Sequence, residues 1–123
     1  MLTGYVVVVV VTALANVGIA IADYARANFV LANSAEVGVP RSWLPLLATV
    51  KVAGAVGLVV GLLAAPQLGI AAAVGLVAFY VGAIAAHLRA RVLYNLAFPG
   101  LYLALAIASL VLALEHADEA LLT

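Results

Sequence analysis

LPLLATVKVAGAVGLVVGLLAAPQLGIAAAVGLVAFYVGAIAAHLRAR, residues 44–91, decides the fold of this chain. It holds two apolar segments of about 20 residues, each long enough to cross a hydrocarbon core of roughly 30 Å. Between them stands Ala65-Pro66-Gln67-Leu68-Gly69, whose proline and glycine predict a tight turn. The stretch reads as a transmembrane helical hairpin. Small residues recur at helical spacing in both halves, with Gly54, Gly57 and Gly61 on one seam and Gly75, Ala78, Gly82 and Ala86 on the other. Such seams let helix backbones approach closely, so Gly54, Gly57, Gly61, Gly75 and Gly82 are expected at helix–helix contacts.

The rest of the chain has the same character. Of its 123 residues 69% are hydrophobic and 8% charged, whereas soluble domains are roughly 45–50% apolar. The composition predicts one integral membrane domain over residues 1–123, with too little polar chain for a soluble catalytic domain. The formal charge is zero and no run of Lys or Arg occurs, which argues against nucleic-acid binding and against a polybasic lipid-binding patch. Cysteine is absent, which removes dithiol chemistry, iron–sulfur ligation and thiolate metal sites. The excess of Ala, Val, Leu and Gly points to a GC-rich bacterial genome.

Working outward, residues 3–22 form a first span, opened by a valine run. No Lys or Arg precedes it as a signal peptide requires, so it is expected to be retained. Tyr5, Thr12, Asn16 and Asp23 fall within a narrow arc at about 100° per residue, a polar stripe expected to face other helices. Residues 23–43 read as an interfacial segment that extends the first helix or lies along the membrane surface, ended by Gly38 and Pro40. Trp43 marks the interface where the next helix enters. The hairpin supplies spans 44–64 and 69–91. A fourth runs over 97–114, with Tyr102, Ser109 and His116 on one face. The expected fold is therefore all-α, an up-down-up-down membrane four-helix bundle. Arg26, Arg41, Arg89 and Arg91 then share one side, which the positive-inside rule makes cytoplasmic, with both termini extracytoplasmic in a bacterial inner membrane.

Lys51 lies two turns inside its helix, where a charge costs about 2.5–3.5 kcal/mol at the helix centre on insertion scales. It calls for a partner or a task. At comparable depth stand Asn16 and Asp23 on the first helix and Tyr80, His87 and Arg91 on the third. These six residues are expected around one polar pocket near the cytoplasmic face, with Lys51 and Asp23 as the ion pair. The bland alternative is snorkelling of Lys51 and His87 to headgroup water. No metal site is expected, because His116 falls on the opposite side from His87 and no His–Glu metal spacing occurs.

GVPRSWLP (38–45), TVKVAGAVGLVVGLL (49–63) and PQLGIAAAVGLVAFYVGAIAAHLRAR (66–91) together resemble the DoxX-like family of small bacterial membrane proteins. The resemblance spans roughly Gly38 to Pro99 and implies a four-helix membrane bundle. It also implies membership of complexes: relatives are connected with thiosulfate:quinone oxidoreductase subunits, membrane oxidoreductase complexes and a receptor-assembly chaperone. Where the wider family often carries an acidic residue, this chain has Lys51, so no carboxylate role is carried over to that position.

Three functions follow as expectations. The first is an accessory or assembly subunit that meets another membrane protein, or a second copy, through its helix faces; such a protein is no enzyme on its own. The alternative is a quinone- or lipophile-binding subunit of an oxidoreductase, using Lys51, His87 and Tyr80 as hydrogen-bonding groups. No cofactor is identifiable from the residues themselves, and a quinone is what that alternative brings. The third is a small transporter, disfavoured because the deep polar residue of the first helix is neutral Asn16.

Overall fold

A computed structural model describes residues 2–122. Its elements are α1 (Leu2–Tyr24), α2 (Asn28–Glu36), a 3₁₀ turn (Arg41–Trp43), α3 (Leu44–Leu63), α4 (Pro66–Arg89) and α5 (Ala97–Leu122). Among the described residues there is no strand, and four segments are long and apolar enough to span a membrane: α1, α3 with its 3₁₀ turn, α4 and α5. The protein is an all-α, up-down-up-down bundle. α1 packs on α3 and α5, and α4 also packs on α3 and α5, so the four spans close into a ring with α1 and α4 on its diagonal.

α1 shows why the ring forms. Its buried residues Tyr5, Val9, Thr12, Asn16, Ala20 and Asp23 advance by three or four positions, and Val7, Val10, Val11 and Leu14 point outward. In lipid the outward valines have no water to escape, so the bundle is held by close packing and by hydrogen bonds inside the stripe. Thr12 Oγ1 donates to Val8 O at 2.7 Å and accepts from Ser109 Oγ at 3.1 Å, while Tyr102 Oη donates to Ala15 O at 3.1 Å. The Tyr102 face of α5 is thereby pinned to α1, and the rings of Tyr5 and His116 meet at 5.1 Å at the far end. α5 runs well beyond the expected boundary at 114, because Glu, Ala and Leu in its tail are good helix formers.

The seam between α3 and α4 is graded. Gly61 lies against Gly69 so closely that an added Cβ would collide with the Gly69 backbone; Gly57 meets Ala72, Gly54 meets Leu76, and the Lys51 ammonium lies 5.4 Å from the Phe79 ring centre. Partners grow from hydrogen to aromatic ring along the seam, which holds the helices together at the Gly61 end and apart at the Lys51 end. The α4 half of this seam differs from the expected one. Gly75 and Gly82 are not at helix–helix contacts: both are exposed and an added Cβ at either would meet nothing within 4 Å. The buried stripe of α4 is Gly69, Ala73, Leu76, Tyr80 and His87; Gly75 and Gly82 lie off it, Gly82 on the lining of the cavity described below.

Helix ends explain the loops. The connection from α3 to α4 is only Ala64 and Ala65, because Pro66 opens α4, where its fixed φ suits the first turn and its missing N–H leaves no bond unmade. Three helices end in paired reverse bonds: Arg26 N–H to Asp23 O with Ala27 N–H to Ala22 O, Gly38 N–H to Ala35 O with Val39 N–H to Ser34 O, and Arg91 N–H to Leu88 O with Val92 N–H to His87 O. This is the Schellman cap, which needs a left-handed residue after the helix. Gly38 (φ 77°) supplies it easily, while Arg26 (φ 54°) and Arg91 (φ 59°) take it without being glycine. The cap at Arg26 separates α2 from α1, and the cap at Arg91 ends α4 at Arg89.

Candidate functional site

At the end where α3 and α4 are held apart, a cavity of about 830 Å³ opens. Its walls come from the end of α1, from α2 and residues 37–39, from α3 and α4, and from residues 94–102. Asp23, Lys51, Tyr80 and His87 lie on its lining. Asp23 is brought there as the last buried position of the α1 stripe, Lys51 by the α3 seam, and Tyr80 and His87, seven apart, by the buried stripe of α4.

The Lys51 ammonium donates to Asp23 Oδ2 at 2.6 Å, with side-chain exposures of 11% and 3%. An ammonium has three N–H donors, so this bond leaves others for a guest. Tyr80 reaches across the diagonal of the ring and donates to Asn16 Oδ1; Asn16 Nδ2 in turn donates to Thr12 O at 2.8 Å. Asn16 is fully buried and lies beneath the cavity, not on its lining. His87 Nδ1 stands 2.9 Å from Ala83 O. That carbonyl can only accept, so Nδ1 carries a proton, and in a neutral ring Nε2 is then the acceptor.

Four aromatic rings form a continuous wall: Phe79 meets Tyr80 edge-on at 5.0 Å, Tyr80 meets Tyr102 at 5.3 Å, and Tyr102 stacks on Phe98 at 5.3 Å. α2 closes over this space through two bonds to the loop before α5, Tyr94 Oη to Glu36 and Asn95 Nδ2 to Asn33 Oδ1 at 2.9 Å. The Glu36 carboxylate raises the Tyr94 pKa above its ordinary value, because an ionised phenol would lose the bond and face a second anion. Asn95 Oδ1 is buried without a partner among the described residues. A polar floor beneath an aromatic wall suits a planar apolar molecule whose head forms hydrogen bonds.

Of the six residues expected around the pocket, Asn16, Asp23, Lys51, Tyr80 and His87 are brought together. Arg91 is not: as the left-handed cap of α4 it is exposed in the turn and absent from the lining, and Arg89 reaches the rim instead. Of the aromatic wall only Tyr80 is among the expected pocket residues, and none of the Asn33, Glu36, Tyr94, Asn95 cluster is. Tyr102 carried a signal, its place on the Ser109 face of α5. Among the described residues no three His, Cys, Asp or Glu side chains come together as a metal site would need.

The family model described as the DoxX-like family matches residues 7–109, most of the chain and all of the cavity lining. The chain belongs to the DoxX-like family. Its four spanning helices are those of a small multi-pass DoxX-like membrane protein. No curated protein and no solved structure matches it significantly.

Proposed function

We propose that this DoxX-like protein is an accessory membrane subunit that holds a lipophilic molecule of the quinone class, with any chemistry on that molecule assigned to a partner. The cavity carries the reading: about 830 Å³ lies within the range of small-molecule sites, roughly 300–1,000 Å³. It combines ring-lined walls with a donor at Lys51 and an acceptor at His87, which match a carbonyl and a hydroxyl on a planar head. Its placement at one end of the bundle gives a lipid-borne ligand a short path into it. We also place this end at the cytoplasmic face of a bacterial inner membrane, because the connections there carry Arg26, Arg41, Arg89 and Arg91.

The test uses Trp43, the single tryptophan of the chain and part of the cavity lining. With the protein in phosphatidylcholine nanodiscs, decylubiquinol kept reduced is expected to quench Trp43 emission saturably, one of its hydroxyls donating to His87 Nε2. His87→Ala removes one hydrogen bond from the head and is expected to weaken binding by about tenfold, the equivalent of ~1.4 kcal/mol. Quenching that never saturates, or that His87→Ala leaves unchanged, would overturn the assignment.

A further inference from the structure

The charged groups on the cavity lining are Asp23, Glu36, Lys51 and Arg89, two of each sign. They are not spread evenly. Arg89 is exposed at the rim and Glu36 is exposed and accepts from Tyr94, so both sit where water screens them. The deep charges are Lys51 and Asp23, and these contact each other at 2.6 Å. The deep end of the cavity therefore offers hydrogen bonds without net charge. Resting on the lipophile reading above, we infer that Asp23 is a specificity-determining residue: by cancelling Lys51 it makes the site select uncharged amphiphile heads and reject anionic ones.

The physical reason is desolvation. A carboxylate or phosphate head entering beside Lys51 loses its water and meets the Asp23 carboxylate along with the ammonium, so no net counter-charge repays the loss. A neutral head loses far less and still finds the free Lys51 N–H donors, His87 Nε2 and the unpartnered Asn95 Oδ1. Without Asp23 the same pocket would present a bare ammonium, a group that attracts carboxylates. Asp23 acts through the charge of Lys51 and needs no contact with the ligand.

Oleyl alcohol and oleate share one tail and carry a neutral hydroxyl or a carboxylate as head, which makes them a matched pair of probes. Both are titrated in phosphatidylcholine nanodiscs at a pH that keeps oleate ionised, with Trp43 emission as the signal and concentrations referred to the lipid phase. The full chain is expected to bind the alcohol about tenfold more tightly than oleate. Asp23→Asn is expected to reverse that order, and Asp23→Glu to restore it. Loss of structure alone would weaken both probes together and would not invert their ratio. Should Asp23→Asn fail to fold, the inference still stands or falls on the native ratio and on Lys51→Met with Asp23→Asn, whose chargeless floor must keep the alcohol preference. Oleate binding as tightly as the alcohol to the native chain, or an unchanged ratio in a folded Asp23→Asn protein, overturns charge selection and leaves the lipophile reading in place. Neither probe nor decylubiquinol altering Trp43 emission overturns both.

Discussion

A lone ammonium within a membrane helix is costly, and a lone carboxylate opposite it is no better placed; together at 2.6 Å Lys51 and Asp23 each supply what the other lacks. The asymmetry between breaking and deleting such a pair yields a prediction. Asp23→Asn alone should lower stability by about 3 kcal/mol, since it strands a buried charge, and adding Lys51→Met should recover more than half of that loss. Chemical unfolding in detergent measures both, and strictly additive losses would show that the two side chains do not support one another. This pair was legible in the sequence because helical register fixes depth, and residues at equal depth on neighbouring spans have few other partners. Asn16 and Tyr80 were legible for the same reason. Arg91 was not, because a left-handed cap is signalled by glycine, and an arginine there looks like one more turn of helix.

The element scale turns on the two halves of the hairpin. On α3 every residue of the Gly54, Gly57, Gly61 seam is buried, and the spacing alone identified it. On α4 the same kind of spacing pointed to the wrong side, because Gly75 and Gly82 repeat as regularly as Gly69, Ala72 and Leu76, and one helix read by itself does not reveal which stripe meets a partner. Only the pairing of Gly61 with Gly69, set by the short turn at Ala64 and Ala65, fixes the register. Two leucine substitutions separate these cases. At Gly57 a side chain would drive into Ala72, so Gly57→Leu should cost about 1–3 kcal/mol, as overpacking does. Gly75→Leu enters open space and should be close to neutral. Thermal unfolding of the two variants in one detergent makes the comparison, and equal shifts would place both glycines in the same environment. The break between α1 and α2 escaped the sequence for the reason Arg91 did, since Arg26 caps α1 without a glycine.

At the scale of the whole molecule the two ends of the bundle differ in packing and in charge at once. One end is drawn tight by Gly61 against Gly69 and carries uncharged connections; the other is held apart by Leu76 and Phe79, contains the cavity and carries the arginines. The bundle itself was legible from hydropathy. A polar pocket at this end was expected too, but its volume and aromatic walls were not legible, because they arise from partner sizes along a seam whose register no single helix reveals. The coincidence of cavity and arginines makes orientation a functional matter, since it decides whether the site is reached from the cytoplasm or from outside. Short loops rich in arginine are retained on the cytoplasmic side, and here the connections at the cavity end hold Arg26, Arg41, Arg89 and Arg91 while the α3 to α4 turn holds none. Because the chain has no cysteine, single cysteines report position without background. Ser42 lies exposed in the 3₁₀ turn at the cavity end and Gln67 is exposed in the first turn of α4 at the other. In intact cells Gln67→Cys should react with a membrane-impermeant thiol reagent and Ser42→Cys should react only after lysis. The opposite pattern would turn the bundle over and put the cavity on the outer face.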